Sequence, residues 1–566
     1  MHVVTNTVRR GDAVYTAHLL RRSYREGGKV KKETLANLSH LPEEVIELIR
    51  GALRGQRYLP AEQALRIERS LPAGHVQAAL AMARRLELTR LLDREPSRER
   101  QLCLAMLVQR LLAPGSKLAM SRGFSHSILG QELGVVDADE DELYEALDWL
   151  LARQQRIEAA LARRHLEQGT LVLYDVSSSY FEGRSCPLAQ LGYSRDGRRG
   201  TPQIIYGLLC DKRGCPVAVE VFAGSLHDDK TLPAQLEKLR TRFGLASVIV
   251  VSDRGMVTKA NLELLRADGE AAWITALKAP QVKKLARDGA LQLSLFDQQN
   301  LAEISCDDYP GERLVVCRNP LVAADRARKR EALLAATETA LGEIKQRVEQ
   351  GTLTGSDQVG LAAGAVWNHW KMRKHFQLTI SDSSFSFERK QEQIAAEAAL
   401  DGIYVLRTSV PEPELATPDV VRAYKQLKEV EHAFRTLKGP LELRPIHHRL
   451  EERVKAHVFL CMLSYYLAWH LRQAWKPLLF DDEQPPLQAD PVAKARRSPA
   501  AERKARSKRT TSGERCHSLP TLLDELATRT RNTIRLHERA SFEQLTQPTP
   551  TQANALALID TYQPTP

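Results

Sequence analysis

Residues 171–175 read Leu-Val-Leu-Tyr-Asp, and the hydrophobic pattern of the chain changes there. From about Leu41 to Gln168, apolar residues recur every three or four positions, which is typical of helices. Beyond that point, short β-branched runs predict strands at 171–175, 203–209, 217–222 and 248–253. An amphipathic stretch at 231–243 separates the third run from the fourth. This order predicts a mixed α/β sheet with helices packed on it, preceded by a mainly helical N-terminal region.

Length and composition exclude several classes of protein. The 566 residues are too many for one compact core, since domains usually hold roughly 100–200 residues. No run reaches the about 18 apolar residues of a membrane span, and the N-terminus lacks a signal-peptide pattern, so we expect a cytoplasmic protein without a membrane partner. The eight cysteines form no Cys-x-x-Cys pair. They are interpreted as reduced packing thiols, with structural zinc as the alternative.

The net charge of +11 is concentrated in two segments. Residues 1–32 hold eight basic and two acidic residues, and residues 494–509 hold eight basic residues and one acidic residue. Such segments on a nearly neutral body are typical of proteins that bind polyanions. The alternative is a solvated charge run that aids solubility. For 494–509, whose composition predicts a disordered linker, both interpretations stay open.

Three carboxylates interrupt apolar patterns. Asp175 ends an apolar strand face, Asp253 closes the strand 248–252, and Glu431 lies within the apolar stripe of a predicted helix. Singly, each has a structural interpretation, as a turn residue or as a side chain at the edge of a stripe. Jointly, such carboxylates can hold two Mg²⁺ ions about 3.5–4 Å apart for phosphodiester chemistry. The nearby run His227-Asp228-Asp229 could also bind metal, but the start of a helix explains it better.

Residues 424–438 resemble the Tyr-x2-Arg-x3-Glu-x6-Lys signature of a large group of bacterial insertion-sequence transposases. Tyr424, Glu431 and Lys438 are in register, whereas Leu427 replaces the arginine, which indicates a divergent branch. Three further stretches resemble the other motifs of the same group, at 173–183, 214–232 and 251–255. The resemblance covers about residues 140–475 and leaves out both basic segments.

The resemblance implies an RNase H-like catalytic domain whose triad is Asp175, Asp253 and Glu431. Such an enzyme uses two Mg²⁺ ions, for which Mn²⁺ can substitute, to cleave the ends of an insertion sequence and transfer the 3′-hydroxyls to target DNA. Implied partners are double-stranded DNA, as terminal inverted repeats and target, and further copies of the chain in a homodimer or larger synaptic complex. The implied location is the bacterial cytoplasm, at the nucleoid. Two alternatives are a structure-specific nuclease of this fold and a domesticated DNA-binding protein without catalysis.

The same resemblance suggests where DNA is contacted. Tyr424, Arg435 and Lys438 would lie near the cleaved phosphate, although a solvated lysine at a helix end is an equal interpretation of Lys438. Trp367 and Trp370 could stack on an extruded base, but a Trp-x-x-Trp pair is more typical of a core.

The expected organisation has six parts. They are a basic DNA-end-binding region (1–75), a helical domain (76–168), the catalytic domain (169–278 with 403–478), an insertion (279–402), a basic disordered linker (479–515), and a C-terminal helix and tail (516–566).

A short motif in the insertion resembles the peptide by which bacterial proteins dock on the replication sliding clamp. It consists of Gln292, Leu293, Ser294, Leu295 and Phe296. Polar flanks predict an exposed loop in which the Leu-Phe pair has no core to join, so the clamp is a further predicted partner. The alternative is a short strand packed on the insertion.

Overall fold

The computed structural model describes residues 1–58, 65–268, 271–296, 299–536 and 540–564. The chain forms two compact units. The first unit contains Met1–Leu71 and Thr530–Thr546, and the second contains Pro72–Arg529 and Gln547–Pro566.

Sixteen strands are present in the described part of the chain. They are β1 (His2–Arg10), β2 (Ala13–Glu26), β3 (Lys29–Asn37), β4 (Leu65–Pro72), β5 (Thr170–Tyr180), β6 (Gln203–Asp211), β7 (Pro216–Ala223), β8 (Val248–Ser252), β9 (Ala271–Ala276), β10 (Leu301–Ile304), β11 (Arg313–Arg318), β12 (Phe376–Ile380), β13 (Phe385–Arg389), β14 (Ile403–Thr408), β15 (Thr530–Leu536) and β16 (Ala540–Leu545).

The α-helices cover most of the remaining regular structure. They span Glu43–Leu53, Gly74–Arg85, Leu88–Leu92, Arg98–Leu112, Lys117–Gly123, Leu129–Leu133, Glu140–Leu151, Gln154–His165, Leu232–Glu237, Lys259–Asp268, Ala279–Arg287, Pro320–Glu349, Ser356–Trp370, Gln391–Ala398, Thr417–Lys425, Leu427–Lys438, Glu451–Ala474, Pro499–Ser507, Leu519–Ala527 and Pro550–Thr561.

The first unit contains two small antiparallel sheets. One has the order β1-β2-β3 and the other β16-β15-β4. Residues 516–566 were expected to form a helix and a tail, with the helix running to about Glu538. The helix instead ends at Ala527, and β15 begins at Thr530. The alternating residues of β15 find partners in β4 and β16, so distant pairing overrides the local helical pattern.

The second unit contains an eight-stranded mixed sheet, which confirms the predicted mixed α/β class. Its order is β10-β11-β14-β9-β8-β5-β6-β7. Strands β5, β8 and β9 run parallel, and the other neighbours are antiparallel. The helix Glu451–Ala474 is buried continuously from Ala456 to Leu471 and packs against β7 and the helices Arg98–Leu112 and Glu140–Leu151. This unbroken burial explains why its sequence is apolar on every side.

The expected insertion, 279–402, is not one separate excursion. Strand β11 pairs with β14 of the main sheet, and β10 pairs with the other edge of β11. Residues 314–317 of β11 are accordingly buried. Residues 320–398 have a core of their own, formed by the helices Pro320–Glu349 and Ser356–Trp370 and the hairpin β12–β13.

The segment 479–515 is not a disordered linker. It contains the helix Pro499–Ser507, capped by the Ser498 hydroxyl, and two of its residues, Ala501 and Lys504, are buried. The Lys504 ammonium donates hydrogen bonds to the carbonyls of Lys476 (3.0 Å) and Leu479 (3.4 Å) and pairs with Glu483. Since these partners lie more than 20 residues away, composition alone could not reveal them.

All eight cysteines are free, and six are buried, as packing thiols would be. The zinc alternative concerns Cys215, which lies with the buried His165 and His470; one ligand atom from each falls within 4.8 Å of the others. Hydroxyls of Tyr466 and Tyr562 already contact these two imidazoles, at 2.9 and 2.8 Å.

A search of the described helices for membrane spans finds none that qualifies singly by length and apolar character. One pair, Arg98–Leu112 with Lys117–Gly123, passes when its two members are taken together across a 95° bend.

Candidate active site

The register of two parallel strands brings Asp175 and Asp253 together. Leu173 pairs with Val251 and Tyr174 with Ser252, so the next step of the register places the two aspartates side by side. Neighbouring strands lie about 4.8 Å apart. Asp253 follows the last residue of β8 and begins a turn in which the Met256 amide donates a hydrogen bond to the Asp253 carbonyl. The Asp253 side chain is exposed.

Glu431 reaches the same place from the helix Leu427–Lys438. This helix packs on β5, and the Phe434 ring contacts the Tyr206 ring of β6 edge-on, with centroids 5.6 Å apart. Val430 and Leu437 are buried with Phe434, whereas Glu431 is exposed. The apolar stripe therefore fixes the helix on the sheet and leaves the Glu431 carboxylate on the side of Asp175 and Asp253.

The three carboxylates line one cavity of about 530 Å³, which we call the carboxylate cavity. Its other charged lining residues are Arg195, Asp196, Asp228, Arg435, Lys438 and Arg444. The site thus joins an acidic floor, formed by Asp175 in the middle of β5 and Asp253 directly after β8, to a largely cationic rim.

Asp175 is the most strongly perturbed acid of this cavity. Burial, together with the charges of Asp253 and Glu431, raises the pKa of its carboxyl group to about 7, although the Val176 amide donates to it at 2.8 Å. A carboxylate cluster of this kind favours a bound cation, which would stabilise the ionised form of Asp175.

Asp196 organises one side of the rim. Its buried carboxylate accepts hydrogen bonds from Lys438 Nζ at 2.9 Å and from the Tyr180 amide at 3.1 Å, and it also pairs with Arg444. Burial opposes ionisation of Asp196, but the hydrogen bond from Lys438 and the positive charges outweigh it, so its pKa is lowered. The interpretation of Lys438 as a solvated lysine is therefore wrong, since its side chain is only 11% exposed and ion-paired.

Arg195 and Asp228 form a second ion pair on the rim. The other terminal nitrogen of Arg195, Nη1, is buried and has no hydrogen-bond partner among the described residues. The pattern at 227–229 is interpreted as the start of a helix, yet Asp228 lines the cavity. Its neighbours His227 and Asp229 are not in the lining.

Sequence reasoning missed Arg195, Asp196 and Arg444. They lie on connecting segments that carry no periodic pattern, and only their arrangement around Asp228 and Lys438 reveals them.

Two of the other predicted DNA contacts also lie at this cavity. The Tyr424 hydroxyl donates to Asp253 Oδ1 at 3.5 Å, and the exposed Arg435 belongs to the lining. Leu427, which replaces the arginine of the signature, is buried at the start of the helix and cannot supply that charge.

Trp367 and Trp370 lie elsewhere, on the insertion helix Ser356–Trp370, and neither lines the carboxylate cavity. Trp370 packs against the hydrophobic core of the insertion, and Arg373 covers the Trp367 ring at 5.4 Å. The packing of Trp370 agrees with the core interpretation, whereas Trp367 is not part of that core.

The clamp-like motif does have a core to join, so the expectation of a free Leu-Phe pair is wrong. Phe296 is 6% exposed within a cluster that includes Leu277 and Val405, and Leu295 packs against it. Gln292 and Leu293 are exposed. In this conformation the pair that would fill a clamp pocket is not available.

A family model described as "Transposase DDE domain" matches residues 167–467, more than half of the chain. The chain belongs to this family of DDE transposases. All three carboxylates of the cavity fall within the match. A second model, "IS1634 family transposase, N-terminal domain", matches residues 3–64. The protein is therefore an insertion-sequence transposase, an enzyme of DNA cleavage and transesterification.

Comparison with solved structures finds a likeness to a piggyBac transposase, in a cryo-EM structure of its synaptic complex with hairpin DNA. The identity is 10% and the TM-score 0.31, over 80% of this transposase and 77% of the other chain. No curated protein matches the chain.

Proposed function

We propose that this transposase hydrolyses the phosphodiester at each end of an insertion sequence and joins the resulting 3′-hydroxyls to target DNA in a single active site. One observation carries the proposal. Asp175, Asp253 and Glu431, from three separate elements, line one cavity whose rim is cationic. This pairing of hard oxygen donors with phosphate-binding cations suits phosphoryl transfer on DNA.

The donor set fits Mg²⁺, with Mn²⁺ as a substitute. Three carboxylates from separate elements can hold two hard cations, and burial together with the charges of Asp253 and Glu431 raises the pKa of Asp175, a cost that a cation at this place would offset. When bound, such ions activate a water or a 3′-hydroxyl and stabilise the leaving oxygen.

The chain's own residues orient the DNA around these carboxylates. The unpartnered Nη1 of Arg195 can donate to a phosphate oxygen, and Lys438 and Arg444, held by Asp196, add positive charge to the same rim. Tyr424 orients the Asp253 carboxylate by its hydroxyl. The two nucleophiles, water and then a 3′-hydroxyl, would use the same arrangement in turn.

We further propose an RNase H-like core. The support is the order β7-β6-β5-β8-β9, in which β5, β8 and β9 are parallel and β6 and β7 are antiparallel to their neighbours. Strands β14, β11 and β10 extend this core on the β9 side.

The proposed partners are terminal inverted repeats, target DNA and a second copy of the chain, since two ends must be joined at once. Residues 1–75 would bind the transposon ends, because their basic side chains lie on exposed strands. The place of action would be the bacterial nucleoid.

A strand-transfer assay tests the proposal against its alternatives. Purified transposase is incubated with Mg²⁺, labelled duplexes of the inverted repeats that flank its gene, and a plasmid target. We expect cleaved ends and joined products. Cleavage without joining would favour a structure-specific nuclease, and binding without cleavage would favour a domesticated DNA-binding protein.

A further inference from the structure

A second cavity, of about 440 Å³, begins one residue beyond the catalytic aspartate. Asp253 lines the carboxylate cavity, and Arg254 lines the second one. Its walls are the helices Lys259–Asp268 and Ala279–Arg287, the end of β9, and the segment 308–310 between β10 and β11. We call it the basic cavity.

The charges of the basic cavity are predominantly positive. Arg254, Lys259 and Lys278 are exposed, and their side chains form no ion pair or hydrogen bond with the described part of the chain. The acidic residues of the lining are Glu263 and Asp308, and Asp308 is paired with Lys284 at 2.6 Å. Three cations therefore remain available to a ligand.

The inner wall of the cavity is held rigidly. The Glu312 carboxylate, 1% exposed, pairs with Arg266 at 2.6 Å and with Arg407. The Arg407 guanidinium lies 4.8 Å from the centre of the Tyr309 ring. Because Glu312 neutralises only one of the two guanidiniums, this wall adds a further positive charge.

One buried polar group of the lining lacks a partner. Thr275 of β9 is 1% exposed, and its hydroxyl has no hydrogen bond to any described residue. A buried hydroxyl without a partner is costly, which favours a ligand that would satisfy it.

We propose that the basic cavity binds the sugar-phosphate backbone of the DNA strand that continues past the scissile phosphate. The inference rests on the proposed function, because it takes the occupant of the carboxylate cavity to be DNA. Phosphate oxygens accept from Lys259 and Lys278, and Arg254, the residue after Asp253, adds a third cation. The Thr275 hydroxyl donates to the same backbone at the inner wall.

The test measures binding and cleavage separately. Full-length transposase is titrated with fluorescent inverted-repeat duplexes that carry one neutral methylphosphonate at successive positions around the scissile phosphate. In the wild type, we expect one or two positions next to the scissile phosphate to weaken binding by about fivefold, because each loses a charge-assisted contact.

The double variant Lys259→Ala/Lys278→Ala should bind unmodified DNA about fivefold more weakly and lose its sensitivity at those same positions. Its salt slope should fall by about one for each phosphate contact that is lost. Non-additivity of the protein and DNA changes would locate the contact. Lys283→Ala is the matched control, since Lys283 is exposed on the helix that directly follows Lys278 but lies outside the cavity.

Thr275→Val separates a binding role from a structural one. Removing a buried hydroxyl that has no partner should leave the melting temperature unchanged or raise it, while DNA binding weakens by about threefold. A lower melting temperature with unchanged binding would assign Thr275 a structural role and remove it from the proposed contact.

The outcomes distinguish the inference from the proposed function. Additive effects of the double variant and the methylphosphonates, or equal effects of Lys283→Ala, would overturn the inference. The expected binding pattern without cleavage of any end would keep the basic cavity as a DNA site and overturn the proposed cleavage and joining.

Discussion

Asp253 and Arg254 are consecutive residues, yet they line two cavities of different character. The three candidate catalytic acids lie in the middle of β5, directly after β8 and on a packed helix, whereas the unpaired cations of the basic cavity, Arg254, Lys259 and Lys278, lie on an exposed turn and at helix starts. The difference teaches how the two kinds of group are held. Acids proposed to hold metal need a precise geometry, which rigid elements supply, while cations proposed to meet a flexible DNA backbone need only long side chains on nearby surface.

The largest effect should come from the acids. Asp175→Ala, Asp253→Ala or Glu431→Ala should each lower cleavage and joining by about a thousandfold or more, because each removes a carboxylate that we propose as a metal ligand. Binding to transposon ends should stay within about threefold. Glu429→Ala is the control, since it removes a carboxylate from the same helix outside the cavity. Cleavage at the wild-type rate by any one variant would remove that residue from the triad.

Removing the carboxylate of Asp196 from the rim should lower the stability of the protein. Asp196→Ala leaves Lys438 and Arg444 without their shared carboxylate, so we expect the free energy of unfolding to fall by roughly 2–4 kcal/mol. Denaturant unfolding at neutral pH measures it.

The stabilisation by the Asp196 ion pairs should depend on pH. Because the folded state lowers the pKa of Asp196, its contribution is present at neutral pH and is lost as the pH falls through that lowered pKa. The difference between wild type and Asp196→Ala should therefore shrink in acid. A constant difference would mean that packing, rather than charge, explains the effect.

The first basic segment extends the comparison to cations that belong to the lining of neither cavity. Replacing Arg25, Lys29 and Lys32 by alanine should weaken end binding about tenfold and lower the salt slope by up to about three, since all three are exposed on β2 and β3. Arg22→Ala should change less, because Arg22 is already paired with Glu33 at 2.8 Å. An unchanged slope in the triple variant would place end recognition elsewhere.

The second basic segment should show the smallest effects, and these concern the stability of the fold. Lys504→Ala should lower the free energy of unfolding by roughly 1–3 kcal/mol, because it leaves Glu483 and two backbone carbonyls without their donor. Arg496→Ala with Arg497→Ala should stay within about 0.5 kcal/mol, since both side chains are exposed. Equal losses in the two variants would contradict this division of the segment.

Local patterns predicted much of the sheet. The runs at 171–175, 203–209 and 217–222 lie in strands of the mixed sheet, and so does the run at 248–253 up to Ser252, because a buried strand needs a run of apolar residues whatever its partners are. The order of strands and the joining of β10 and β11 to the sheet were not predictable in this way, since they depend on pairing between strands that are distant in sequence, such as β11 with β14.

The sequence by itself determined which carboxylates are candidates for chemistry, because a charge that interrupts an apolar strand or stripe stands out without any knowledge of contacts. Only the tertiary structure decided which side chains are available to a ligand or a partner. Lys438 is held by Asp196, Lys504 is buried among carbonyls, and Phe296 fills a core, whereas Lys259 and Lys278 have no partner in the described chain. The physical reason is that the availability of a side chain depends on its neighbours in space, and those neighbours come from distant parts of the chain.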